Sequence, residues 1–448
     1  MLPTPKTEKE LEDGVSSSGG WAFGVASMQG WRLRMEDSHL ALPDFDLERK
    51  LGLFGVFDGH GGAAVAQVAA ERLPAVLRGQ PALAEGNYPE ALYETFMQLD
   101  KFLDNSKGRK EVIQRTALAP PSEEDDSDED CLFAEEEGEE EEEELDPDDE
   151  DMDEDDRQML QNLLAHSEAD EPTSNDLWCN GQGPDCCGCT AVVALVCGGE
   201  EPKVFVANAG DSRGILISGR RGKPLSKDHK PMLKSERERI MKAGGFVGSP
   251  EEGGRVDGNL SLSRAFGDFA YKKNRKLKPT EQKITCEPEI RCHKLDPADR
   301  YVVLGCDGIW EKASNQDVTR FLLQSLSGGP TGGTENAVAL SQACAKFLDA
   351  NLAPTLWAYR GLGCDNMTLM AIDLLANTAP PSAPTATPVT ILGNKPRAVL
   401  RLKKFGAKHG VLSNSLVSAG LRAPVRRKML VLQRWLHTPK NKRRTRRC

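Results

Sequence analysis

The stretch Leu53-Phe54-Gly55-Val56-Phe57-Asp58-Gly59-His60-Gly61-Gly62 restricts the fold more than any other part of the sequence. It opens as an apolar run of the kind that fills a buried strand. It closes on an acid, a glycine, a histidine and two more glycines. A carboxylate at the end of a buried strand is costly unless a positive charge meets it. The glycines let the backbone turn sharply and let a ligand come close. A hard cation held by oxygen, with an ionisable group beside it, suits this set. A strand closed by an Asp-Gly turn is the plainer reading of the stretch taken alone.

The remaining acids favour the cation. Arg32-Leu33-Arg34-Met35-Glu36-Asp37 lies just upstream. Ala207-Asn208-Ala209-Gly210-Asp211-Ser212-Arg213 follows a Val/Phe strand, and Leu304-Gly305-Cys306-Asp307-Gly308-Ile309-Trp310 repeats the order of strand, then Asp-Gly. Asp365-Asn366 precedes another apolar run, Met367 to Ile372. A fold that puts an acid at the ends of several buried strands collects carboxylates in one place, where they repel unless cations neutralise them. Oxygen ligands alone point to magnesium or manganese rather than zinc.

These stretches, with Gly188-Cys189-Thr190 and Leu262-Ser263-Arg264-Ala265-Phe266-Gly267-Asp268, resemble the metal-dependent protein serine/threonine phosphatases of the PP2C type. One Asp-Gly-His is weak evidence; seven motifs in the family's order, from about Gly20 to about Leu375, are specific. The acidic insert, Tyr271-Lys272-Lys273-Asn274 and Gly363-Cys364-Asp365-Asn366-Met367-Thr368 make the gamma-type nuclear branch the nearest likeness. The resemblance implies an α+β fold, an α-β-β-α sandwich of two stacked antiparallel sheets flanked by helices. It implies hydrolysis of phosphoserine and phosphothreonine in proteins by a two-metal-activated water in direct in-line attack, with no covalent enzyme intermediate. The ions would be Mn2+ or Mg2+. By the same likeness Asp58 bridges both ions, the Gly59 carbonyl binds one, and Asp307 and Asp365 complete the shell of the second. Glu36 and Asp37 hold metal-bound waters, Arg32 grips the phosphate with Arg34 as the alternative, and His60 protonates the leaving oxygen. Asp211 would help bind a third ion with Glu311, which stands where many members carry Asp, so a longer carboxylate would have to reach.

Charge divides the rest of the chain. The net charge is −12, but the 25 acids of Glu123 to Asp156 come with no Lys or Arg, and the 17 Lys and Arg of Ile391 to Cys448 come with no acid. Such an acidic run cannot bury enough apolar surface to offset its ordering entropy. The expected organisation is a segment 1–19, a phosphatase-like domain 20–375 interrupted by a disordered acidic insert 120–176, a Pro-rich linker 376–394 and a basic tail 395–448. The insert suits basic nuclear proteins, and the clusters Arg426-Arg427-Lys428 and Lys440 to Arg447 suit nuclear import or nucleic acid. A nuclear or cytoplasmic monomer acting on phosphoproteins is expected. No apolar run approaches the roughly 18 residues of a membrane span.

Local patterns fill in the domain. Trp21, Phe23 and Val25 alternate as a first strand, with Arg32 to Asp37 on the next. Ala63 to Arg72 reads as a helix that Pro74 disturbs, and Leu92, Phe96, Leu99 and Leu103 share one face of a second. Thr190 to Cys197, Val204 to Ala207, Arg213 to Ser218 and Tyr301 to Leu304 read as strands, the first two forming a hairpin. Ser235 and Glu238 form a capping box for a helix ended by Gly244-Gly245, and Ser314 caps another. Arg255 to Leu260 is a tight turn between strands, and Lys272 to Lys276 is either a solvated loop or a substrate-facing flap. Short helices are expected at Arg157 to His166 and Val425 to Leu436. Most of the 12 cysteines lie on or beside apolar strands, as buried reduced thiols would. Cys179, Cys186, Cys187 and Cys189 raise a zinc site, although the spacing is not a repeated CxxC.

The alternative of another class is a non-catalytic adaptor or scaffold, acidic and basic arms on a phosphatase-like body. It is disfavoured because every acid of the metal set is present.

Overall fold

Leu51–Phe57 is buried at every position, and its side chains divide between two cores. Leu51, Leu53 and Phe57 pack with the helices Ala64–Arg78 and Tyr88–Asp104, while Phe54 and Val56 face the strands of a second sheet. Successive strand residues point to opposite faces, so an unbroken apolar run belongs to a strand covered on both sides. Ala191–Cys197 divides in the same way, with Val192, Ala194 and Val196 in one core and Val193, Leu195 and Cys197 in the other.

The structure, a computed structural model, describes residues 1–18, 20–118, 183–250, 253–327 and 339–374. All lie in the first of two units, Met1–Pro384 and Thr385–Cys448. The acidic insert 120–176 with its expected helix, Cys179, the linker 376–394 and the basic tail 395–448 with its expected helix fall outside the described residues.

The strands are β1 Lys6–Val15, β2 Ala22–Gly30, β3 Ser38–Asp46, β4 Leu51–Phe57, β5 Gly59–His60, β6 Gly188–Cys189 and β7 Ala191–Cys197. They continue as β8 Lys203–Ala209, β9 Arg213–Ser218, β10 Arg221–Pro224, β11 Phe266–Gly267, β12 Glu289–Lys294, β13 Asp299–Gly305 and β14 Met367–Asp373. One sheet has the order β1-β2-β14-β13-β9-β10, the other β12-β8-β7-β4-β3, and a short third has β11-β6-β5. The strand pairs are antiparallel throughout. Helices Ala64–Arg78 and Tyr88–Asp104 cover the five-stranded sheet, and Asn315–Ser327 and Leu340–Asn351 cover the six-stranded one. This is the expected α-β-β-α sandwich. Among the described residues no helix is long and apolar enough to cross a membrane.

Antiparallel pairing explains why the acids meet. The end of β4 lies beside the start of β3, and the end of β13 beside the start of β14. Strand β8 is two antiparallel steps from β4, so both end at the same edge. Asp58, Glu36-Asp37, Asp307, Asp365 and Asp211 flank these ends.

Several local expectations are corrected. Arg32 to Asp37 is a loop rather than a strand. The Asn366 side chain donates to the Gln29 and Arg34 carbonyls at 2.8 and 3.0 Å, taking up backbone acceptors that a strand would offer to a neighbour. Helix Ala64–Arg78 runs through Pro74 because Leu73, Pro74 and Leu77 are all buried, and that burial offsets the ~3 kcal/mol proline penalty. Lys6–Val15, ahead of Gly20, forms the edge strand β1. Ser235 caps nothing: helix Lys234–Lys242 starts after Leu233, which places Ser235 inside its first turn. The Arg255 to Leu260 turn forms, but its flanks make only isolated bridges, Val247 with Val256 and Val256 with Leu260. Lys273 to Lys276 are exposed, as in a solvated loop, but the Lys272 side chain is turned inward. It is buried and donates to Asp100 at 2.9 and 3.0 Å and to the Ala265 carbonyl at 2.8 Å.

The region between Lys234–Lys242 and β11 is held by a buried carboxylate. Glu236 is 1% exposed and accepts from Arg239 at 2.6 Å, Arg264 at 2.7 Å and Ser263 Oγ at 2.9 Å. Burial pushes its pKa up, but hydrogen bonds and charge from Arg264 and Arg239 outweigh it and bring it to about 2. Burial and the Arg264 charge lower the neighbouring His229 to about 4. Both folded values lie below the unfolded ones, so both groups contribute stability that is full above the unfolded pKa and is lost as pH falls toward the folded one. Glu236→Gln should cost roughly 3–5 kcal/mol at neutral pH by leaving two buried arginines half-paired. It should also flatten the stability loss between pH 4.5 and 2, whereas the His229 loss between pH 6.5 and 4 remains. Calorimetric unfolding from neutral pH downward reads both.

Candidate active site

The acids surround a cleft of about 610 Å³ lined by Arg32, Glu36, Asp58, Gly59, His60, Asp211, Asp307 and Asp365. Carboxylate oxygens of Asp58, Asp211 and Asp307 lie within 4.8 Å of one another, and ligand atoms of Asp37, Asp58 and Cys306 form a second such group. The Asp307 N–H donates to Asp58 Oδ2 at 3.3 Å, linking the ends of β4 and β13 across the two sheets. Gly59 has no room for a side chain, because a Cβ would strike the Glu36 carbonyl. Glu311, on the residue after the turn Asp307–Trp310, feels the charges of Asp365, Lys230 and Asp211 but is outside the 4.8 Å groups.

This crowding shows in the ionisation of the acids. Burial, then the charges of Asp307, Asp37, Asp211 and Asp365, hold the Asp58 carboxyl well above its usual range. Asp307 is raised in the same way by burial, Asp211, Glu311 and Asp365. Burial brings Asp37 up to about 7 despite the hydrogen bond from Thr368 Oγ1 at 2.7 Å. Asp37 Oδ1 and Asp211 Oδ1 are buried without a hydrogen-bond partner. Orphaned, mutually repelling carboxylate oxygens are what a hard dication satisfies, so the donor set fits Mg2+ or Mn2+. One positive group is already in place: the Lys230 ammonium forms an ion pair with Asp211 Oδ2. A third ion held by Asp211 would have to share that carboxylate with Lys230.

Arg32 is half-exposed and pairs with Asp365 across the cleft. The loop that carries it is fixed by Asn366, which accepts from the Glu36 N–H at 2.9 Å as well as bonding Gln29 and Arg34. His60 Nε2 lies 2.9 and 2.8 Å from the two Asp268 oxygens. Burial lowers the His60 pKa, but the Asp268 charge and hydrogen bond, with Glu36 and Asp211, outweigh it and the pKa is raised. Asp268 is 2% exposed and sits in the left-handed region at φ +52. Gly188 floors the pair: a Cβ there would collide with the Asp268 carboxylate and His60 Nε2.

Sequence reasoning therefore placed Arg32, Glu36, Asp37, Asp58, Gly59, His60, Asp211, Asp307 and Asp365 in one locality, and the structure brings them together. It did not assign Asp268, Asn366 or Lys230. Asp268 and Asn366 lie inside motifs that had been singled out, and that was the available signal. The zinc reading finds no ligand set among the described residues. Cys187 donates to the Gly62 carbonyl at 3.1 Å, with burial pushing it up to about 12, and Cys186 is disulfide-bonded. Asp268→Asn should lower the His60 titration midpoint, which the histidine ring resonances report by NMR; an unmoved midpoint would contradict the charge pairing.

The protein phosphatase 2C family profile matches residues 21–118 and 134–355. Probable protein phosphatase 2C 58 of Oryza sativa subsp. japonica is 36% identical over 378 residues, covering 83% of this chain and 88% of that protein. Probable protein phosphatase 2C 21 of Arabidopsis thaliana is 35% identical over 371 residues, covering 83% and 91%. A Toxoplasma gondii phosphatase crystal structure superposes with a TM-score of 0.52 at 21% identity, over 82% of this chain and 95% of that one, and shares the fold. The sandwich, the acids at its edge and these relatives agree: this chain belongs to the protein phosphatase 2C family and is a protein phosphatase.

Proposed function

We propose that the chain hydrolyses phosphoserine and phosphothreonine in proteins with two hard divalent cations, Mn2+ or Mg2+. The observation that carries the reading is the group of acids around Asp58, with Asp37 Oδ1 and Asp211 Oδ1 lacking a hydrogen-bond partner, at a cleft lined also by Arg32 and by His60, which pairs with Asp268. Asp58, the Gly59 carbonyl, Asp307 and Asp365 would hold the ions, with Glu36 and Asp37 reaching them through water. Bound there, the ions activate water for in-line attack and neutralise phosphoryl charge.

The chain's own groups do the rest. Arg32 has five N–H donors and spends one on Asp365, which leaves a fork for two phosphoryl oxygens. Asp268 favours the protonated form of His60 and occupies Nε2, so Nδ1 would be the nitrogen that gives its proton. As the bond from phosphorus to the serine or threonine oxygen breaks, its electron pair stays on that oxygen, which takes the Nδ1 proton. His60 then regains a proton from solvent. Among the described residues no cysteine lines the cleft, in keeping with direct hydrolysis rather than a cysteinyl-phosphate.

The acidic run Glu123 to Asp156 aligns the chain with the gamma-type branch and suits docking of basic nuclear proteins, with nuclear and cytoplasmic residence. The basic tail suits nucleic acid.

Two experiments follow. Wild type with Mn2+ should hydrolyse a phosphothreonine peptide, EDTA should stop it, and Asp58→Asn should lose roughly a thousandfold or more, since the ions supply several kcal/mol at ~1.4 kcal/mol per decade. Because Asp58 is held above its usual pKa, the same variant should be at least as heat-stable as metal-free wild type. A dead wild type that binds Mn2+ would sink the catalytic reading. Deleting residues 123–156 should leave turnover of a short phosphopeptide nearly unchanged and weaken binding to histones, most at low salt; equal histone binding would remove the docking role.

A further inference from the structure

Beside the cleft stands a loop with no role in the chemistry above. The Ala353 N–H donates to the Gly363 carbonyl at 2.8 Å and closes it at the base. That base is fixed on three sides. Trp31 Nε1 donates to the Ala353 carbonyl at 2.9 Å, and Trp31, Ala353 and Cys364 form a buried cluster on which Leu352 and Leu356 pack. Lys312 Nζ donates to the Asn351 carbonyl at 2.6 Å and lies 4.7 Å over the Tyr359 ring. On this anchored frame Trp357 is 91% exposed, Tyr359 59% and Leu362 40%. Tyr359 and Arg360 both take left-handed backbone, at φ +52 and +59, which non-glycine residues adopt at a cost.

Water is a poor environment for an indole. Fully burying a large apolar side chain gains roughly 1.5–3 kcal/mol, and tryptophan is enriched among residues that dominate binding surfaces. The loop's place says what would cover it. Trp357 follows Leu356, which packs on Trp31, and Trp31 precedes Arg32. Gly363 lies two residues before Asp365. The base of the loop therefore adjoins the Arg32–Asp365 corner, where the phosphoryl group is to be held. None of its residues lines the cleft itself. Two aromatic rings at about 150–250 Å² each, with one leucine, fall short of the about 800 Å² per partner that a stable protein interface uses. A short peptide segment suits the patch better than a second copy of the chain.

We propose that Trp357, Tyr359 and Leu362 form a docking ledge for an apolar side chain of the phosphoprotein substrate. That side chain belongs to the sequence flanking the phosphorylated residue. This rests on the phosphatase reading and deepens it: the cleft recognises the phosphate, and the ledge selects the flanking sequence.

The test uses the full chain with Mn2+ and two sets of phosphothreonine peptides. One has wholly polar flanks; the other carries a single leucine placed in turn at each nearby position. At one or more positions wild type should show a KM about tenfold lower for the leucine peptide, with similar kcat. Trp357→Ala and Tyr359→Ala should each shrink that ratio toward one, and neither should shift the p-nitrophenyl phosphate KM to match. Trp357 is exposed, so its loss leaves the core intact. A leucine preference unchanged in both variants, or no preference in wild type, overturns the proposal. A lower sedimenting mass for Trp357→Ala would assign the ledge to self-association and also overturns it. A wild type that hydrolyses none of the peptides removes the phosphatase reading, and this one with it.

Discussion

The repulsion among Asp58, Asp307, Asp211 and Asp37 is the constraint on which the site depends. Burial raises the pKa of all four, and neighbouring carboxylates raise those of Asp58, Asp307 and Asp37 further. The fold holds them together regardless, because their positions follow from strands that the hydrophobic cores fix. Moving Asp58 away would mean withdrawing Phe54, Val56 and Phe57 from contacts that leave them fully buried. Apolar burial thus supplies the force that keeps the charges close, and the charges in turn create a demand for cations. Stability and affinity for metal oppose each other at one edge of the sandwich.

That arrangement made the carboxylates unusually legible. An apolar run that ends in Asp-Gly states both the burial of a strand and the position of its end. Leu53 to Gly62 and Leu304 to Trp310 do so independently, and antiparallel pairing does the remainder. Strand residues could be assigned because alternate positions of β4 and β7 serve two cores and so stay apolar throughout. The helix carrying Leu92, Phe96, Leu99 and Leu103 was legible from its 3.6-residue stripe.

What was not legible depends on contacts between residues distant in sequence. Asp268 lies 208 positions from His60, and no local pattern pairs them. Only the three-stranded β11-β6-β5 sheet brings the two together over Gly188. Lys272 looked like part of a basic surface loop because its sequence neighbours are basic, yet its buried partner Asp100 comes from a helix far upstream. The capping box expected of Ser235 and Glu238 gave way for a comparable reason. The local pattern pointed to Ser235 and Glu238, while the buried arginines Arg239 and Arg264 claimed the Glu236 carboxylate between them. Local rules yield when a tertiary ion pair offers more.

The edge that carries the acids and the loop 353–363 are held to different degrees. The side built from β4, β13 and the loop fixed by Asn366 is tightly determined, because a shift of any member exposes a carboxylate or breaks a buried hydrogen bond. The 353–363 loop is fixed at its base and at Tyr359, over which Lys312 lies. Trp31, Cys364 and the Ala353–Gly363 hydrogen bond fix where the loop leaves and rejoins the core, but Trp357 and Leu362 project from it with little holding them. Side chains there can change without disturbing the metal-binding edge a few residues away. The two regions are thus held by separate contacts, the acids by strands of the two main cores and the loop by Trp31 and Cys364.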